Sequence, residues 1–131
     1  MFEVEGTSPL HFATSAKMIG GGLDEQLGKF VREHSDTKLI IVDTLQKVRE
    51  AVSDSYSYSS DYEVIGKLKQ FADRYGVCVL IVHHTRKQPA GDSFEMISGT
   101  TGLLGCADGA LLMQKEKRTD GRATLEVVGR D

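Results

Sequence analysis

Two uninterrupted apolar runs constrain this chain most. Leu39-Ile40-Ile41-Val42 ends in Asp43-Thr44, and Val77-Cys78-Val79-Leu80-Ile81-Val82 ends in His83-His84-Thr85-Arg86-Lys87. Strands covered on both faces read as continuous apolar stretches, whereas strands with one wet face alternate. The β-branched bias of both runs favours strand over buried helix. Both are therefore predicted to be buried parallel strands, and each ends in polar side chains at its carboxyl end.

The segments around these runs have a different period. Leu23, Leu27, Phe30 and Val31 recur on one helical face, with Asp24 and Glu25 in the first turn, where the helix dipole favours acids. Ser53–Ser60, SDSYSYSS, is polar and unpatterned and is predicted to be a loop. Ser60 and Glu63 form an S-x-x-E capping box. The helix it opens is expected to bury Val64, Ile65, Leu68, Phe71, Ala72 and Tyr75 and to stop at Gly76. A short helix is expected near Thr101–Ala107. Gly109–Gln114 and Ala123–Val128 are expected as strands joined through Asp120-Gly121, a hairpin turn. Leu10–Ala13 is expected as a short strand. Residues 1–9 lack a period and are expected to be poorly ordered. The alternation of strands and helices gives an α/β class with a mostly parallel sheet and a C-terminal antiparallel hairpin.

The 131 residues amount to one domain. A net charge of -3 argues against a dedicated nucleic-acid clamp and leaves room for a local basic patch. The chain has no apolar run of membrane-spanning length and no signal-peptide pattern at its start. Cys78 and Cys106 lie in apolar surroundings and are expected as reduced core residues, which fits a cytoplasmic protein.

Ligands of open α/β sheets collect at the carboxyl ends of the strands. Asp43 stands at such an end, where a rigid strand presents a carboxylate to the magnesium of a bound nucleotide, and Thr44 adds a hydroxyl to the water shell. An apolar run ending in Asp is equally the pattern of a strand leading into a helix cap. His83 and His84, polar residues at the end of a buried strand, can sense a γ-phosphate by hydrogen bonding; a metal pair and a solvated strand end are the alternatives. Adjacent histidines on a strand point to opposite faces, which disfavours chelation of one ion by both. The phosphate-cradling motif G-x-x-x-x-G-K-[ST] does not occur in the sequence. Its nearest approaches, Gly28-Lys29 and Gly66-Lys67, lie inside predicted helices and are followed by Phe30 and Leu68.

Taken in order, LIIVDTL, VLIVHHTRK, SGTTGLLGCADGALLM and ATLEVVGRD resemble the RepA-like branch of the RecA-type, AAA-family ATPases, over residues 10 to 131. The resemblance implies a three-layer RecA-like P-loop NTPase core, present in part as a single partial domain over residues 1–131. It implies ATP hydrolysis coupled to work on DNA in replication or mobile-element maintenance, with ATP and Mg2+ as cofactors of the complete protein. Asp43 would match the Walker B acid. His84 would match the γ-phosphate sensor, with His83 as its alternative. Lys87 and Arg130 would stabilise charge across a subunit boundary. The loops Gln46–Ser60 and Arg86–Ser98 would fall where the family contacts DNA, and Tyr56 and Tyr58 would be available to stack on single-stranded bases.

The departures from the family are the Walker A motif, its strand and the usual upstream catalytic glutamate. Ser98 also stands where many relatives carry arginine. The chain therefore reads as the C-terminal part of such a core, with no ATPase activity and no bound cofactor of its own. Its expected partners are the missing N-terminal half of the domain and further copies of itself, a dimer for this polypeptide and a hexamer-like ring for the complete protein. The family's strand order leaves the second apolar run with an unpaired edge. A non-catalytic α/β regulatory or oligomerisation module is the alternative reading. A metal-dependent phosphoesterase using His83, His84 and Asp43 is a third.

Overall fold

The computed structural model describes residues 9–49, 58–84, 100–115, 119 and 121–129. The elements run α1 (Leu23–Glu33), β1 (Leu39–Asp43), α2 (Leu45–Val48), α3 (Tyr58–Tyr75), β2 (Cys78–Val82), α4 (Thr100–Cys106), β3 (Gly109–Gln114) and β4 (Thr124–Gly129). The strands form two sheets of two. β1 and β2 pair in parallel, with Leu39 opposite Cys78 and Asp43 opposite Val82. β3 and β4 pair antiparallel, with Leu111 opposite Val127 and Met113 opposite Leu125. This is a mixed α/β arrangement with a small parallel sheet and an antiparallel hairpin, consistent with part of a P-loop-like fold. Asp120 of the expected hairpin turn and residues 1–8 lie outside the described residues.

One face of β1 and β2 carries the core. Val42 joins Ile19, Leu23, Leu45, Val48, Ile65, Leu68 and Leu103 in one buried cluster, and Ile40, Val79 and Ile81 pack against it. A second cluster of Val31, Phe71 and Val77 lies against the same Ile40 and Val79. The helical stripes read from the sequence point inward as expected. Ile65, Leu68 and Phe71 are buried, and Val64, Ala72 and Tyr75 are half-buried. Gly76, at φ 62°, takes the left-handed conformation that follows α3. Lys69 of α3 reaches Asp73 at 2.7 Å and Asp108, just before β3, at 3.0 Å. The hydrogen bonds to Asp73 and then Asp108 raise the Lys69 pKa above its ordinary value.

Several expectations require correction. β1 and β2 are covered on one face, not two: Leu39, Ile41, Cys78 and Leu80 are exposed. The apolar run therefore reported a strand correctly and its burial by half. For the same reason Cys78 is not a core residue. Cys106 is half-buried, and both thiols are free. Leu10–Ala13 forms no strand. Among the described residues no strand pairs with it, and His11 instead meets Phe30 edge-on and His34 at a tilt at the end of α1, with ring centroids 5.2 and 4.3 Å away. α3 starts at Tyr58, so Tyr58–Ser60 are helical and Ser60 is not the cap. Helix ends set by local polarity alone are commonly misplaced by such a margin.

Candidate functional site

The site is built from the carboxyl ends of β1 and β2. Parallel pairing sets Asp43 opposite Val82, so the chain leaving β2 passes Asp43 as it enters His83-His84. Asp43 is exposed, and among the described residues it makes no ion pair. It shares the uncovered face of the sheet with Leu39 and Ile41, opposite the helices. His83 is half-buried with its Nε2 enclosed, while His84 is exposed. Side chains alternate along extended chain. Carried two residues past Val82, that alternation sets His84 on the face of Asp43 and His83 on the helical face. Exposure agrees, since the outward histidine is the open one.

Directly after Asp43 the strand gives way to α2. The Asp43–Thr44 peptide is cis, and half-buried Thr44 occupies the N-cap position of α2 without a side-chain cap bond. The strand thus ends at Asp43 and leads into a one-turn helix, with Thr44 rather than Asp43 at the N-cap. Leu45, at 1% exposure, is the most deeply buried large side chain among the described residues, and Val48 lies in the same cluster. The backbone of Val48 accepts a 2.6 Å hydrogen bond from Ile19 N–H. Leu45 and Val48 were not singled out in the sequence as site residues. The available signal was a pair of apolar residues three apart directly after Asp43-Thr44, which makes a short helix face with one inward side.

The donor set fits the metal side of a magnesium nucleotide. Asp43, exposed on its strand end, would accept hydrogen bonds from the water shell of a divalent cation, and His84 would donate to a phosphate oxygen. The phosphate side does not fit. Gly28-Lys29 lies within α1 and Gly66-Lys67 within α3, so their N–H groups belong to helices. A side chain at Gly28 would meet the Tyr75 hydroxyl at 2.6 Å, so no ligand approaches there. A cavity of about 400 Å3 opens between the start of α1 and α3, lined among others by Leu23, Asp24, Lys67, Phe71 and Arg74; neither Asp43 nor a histidine borders it. Among the described residues no three His, Cys, Asp or Glu side chains come together as a metal-binding group, so nothing there supports the phosphoesterase reading. Lys87, Arg130, Tyr56 and the loop Arg86–Ser98 lie outside the described residues, as does much of Gln46–Ser60.

A family model described as an AAA domain matches residues 5–90, a span that includes β1, α3, β2 and the histidine pair. The chain belongs to this AAA-domain family, and thus to an ATPase-related class. No curated protein matches it. Among the described residues no helix is long and apolar enough to cross a membrane.

Proposed function

We propose that this chain supplies the magnesium-side wall of the nucleotide pocket in a RepA-like, RecA-type ATPase that acts on DNA in replication or mobile-element maintenance. The observation that carries this reading is the alignment of Asp43 with the start of the His83-His84 segment at one end of a parallel pair. In this reading Asp43 holds a water of the magnesium shell, and Thr44 adds its hydroxyl to that shell. His84 donates to the γ-phosphate, a role its exposure favours over His83. Magnesium, when bound, withdraws charge from the phosphates. The phosphate cradle comes from polypeptide outside these residues, because no sequence here can form it. Lys87 and Arg130 act across the subunit boundary of a ring, and the loops after β1 and β2 meet DNA.

The test uses the complete ATPase that contains this segment. Asp43→Asn is expected to lower ATP turnover at least about 100-fold, the loss typical when preorganised charge stabilisation is removed. The far-UV circular dichroism should stay unchanged, since Asp43 is exposed. His84→Ala is expected to lower kcat with little change in ATP affinity, and His83→Ala to disturb stability first. Full turnover by the Asp43→Asn protein would overturn the assignment.

A further inference from the structure

The cations of α1 and α3 divide into two groups. Lys29 pairs with Glu33 at 3.8 Å, Arg32 donates to the Tyr75 hydroxyl at 3.1 Å, and Lys69 reaches Asp73 and Asp108. Lys67 and Arg74 instead border the cavity of about 400 Å3 between these helices, and they make no such contact among the described residues. Asp24 and Glu25 on its α1 wall likewise form no ion pair there, whereas Glu33 of the same helix does. Acids thus line one helix of the groove and bases the other, and the two sets stay apart. Leu23 and Phe71, at 2% and 5% exposure, form the inner surface, while the four charged side chains are exposed at the mouth. Gly20 and Gly22, at φ 84° and 106°, turn the chain at one side of it. A Cβ at Gly20 would stand 3.6 Å from the Lys67 ammonium, which therefore lies beside this turn. Lys17, whose side chain crosses Gly22, does not border the cavity.

We infer that this groove binds a small zwitterion with an apolar side chain, of the size and chemistry of a dipeptide. The ligand ammonium meets the carboxylates of Asp24 and Glu25. Its carboxylate meets Lys67 and Arg74, a guanidinium being suited to bidentate contact. Gln70, which borders the groove between those two cations on α3, offers an amide to the peptide bond. The apolar side chain covers Leu27 and Phe71. The volume suits such a ligand, since small-molecule sites run from roughly 300 to 1,000 Å3. The separation of sign favours a ligand with both charges. A simple anion would sit beside two carboxylates, and a simple cation beside an ammonium and a guanidinium. The start of α1 adds about half a positive charge, which the two carboxylates outweigh. This inference is independent of the nucleotide reading, because neither Asp43 nor a histidine borders the groove.

Titration of the purified chain with leucyl-phenylalanine, followed by calorimetry and amide chemical shifts, decides it. A Kd on the order of 0.1–1 mM is expected, in line with the binding free energy per atom of small ligands. Acetylating the dipeptide's amine or amidating its carboxylate should each weaken binding about threefold to fivefold, the range of exposed charge pairs. The double variant Lys67→Ala with Arg74→Ala should weaken the free dipeptide by a similar factor and leave the amidated form unaffected. Asp24→Asn with Glu25→Gln should do the same, with the acetylated form as the indifferent ligand. Circular dichroism should match the parent, since these side chains are exposed. Absence of binding up to about 10 mM would overturn the inference. So would equal binding of free and blocked dipeptides, or shifts confined to residues outside the groove. Should a variant fail to fold, the blocked dipeptides on the parent chain still separate a two-charge site from a purely apolar contact.

Discussion

Gly66 and Gly28 look alike in the sequence, each preceding a lysine inside an amphipathic stretch. The structure separates them. A Cβ at Gly66 meets nothing within 4 Å, whereas at Gly28 it meets the Tyr75 hydroxyl at 2.6 Å and the Arg32 guanidinium at 3.1 Å. Arg32 and Tyr75 share a hydrogen bond across α1 and α3, so both would have to move. Gly66→Ala is expected to stabilise the fold by about 0.5–1 kcal/mol, the usual helix-interior difference between these residues. Gly28→Ala should lose that gain and destabilise, and urea unfolding of the two variants gives opposite shifts of midpoint. Equal stabilisation by both would mean that Tyr75 leaves its place without cost.

Among the elements, α2 shows best how the site is held. Four residues cannot make a stable helix by propensity. α2 exists because Leu45 and Val48 are buried in the main cluster. Leu45→Ala is expected to cost about 2–5 kcal/mol, as for other fully buried leucines, read as a lower denaturation midpoint. Because Leu45 is two residues from Asp43, the same change should loosen the carboxylate. The strands, the two amphipathic helices and the hairpin were legible in the sequence because each has its own period. The position of Asp43 and the histidines at strand ends was legible because each stands where an apolar run ends. The pairing of β1 with β2, and hence the meeting of Asp43 with that segment, was not written in any one run, since register follows from tertiary packing. The dry-looking strands misled on burial because composition reports what a strand is suited to touch, not what lies against it. His11 misled because a short mixed stretch has no period strong enough to outweigh an aromatic stack.

For the whole molecule, the decisive fact is that β2 and β3 belong to separate sheets, so each keeps one edge unpaired within the two-stranded pairs. Phosphoryl transfer depends on positioning and electrostatic stabilisation of the phosphates, and in the proposed function this chain supplies only one side of such a pocket. The purified chain alone is therefore expected to show no ATP turnover above background in a phosphate-release assay, with Asp43 present or replaced by Asn. Turnover that disappears with the Asn variant would show that a phosphate cradle exists in these residues after all. The unclad sheet has a chemical corollary. Cys78 stands opposite Leu39 on the bare side with its thiol exposed, while Cys106 is half-buried, its Sγ 3.6 Å from the Tyr62 carbonyl oxygen. A maleimide thus finds one fast-reacting sulfur, and the rate at which that sulfur is alkylated becomes a gauge of whatever polypeptide comes to clothe the sheet.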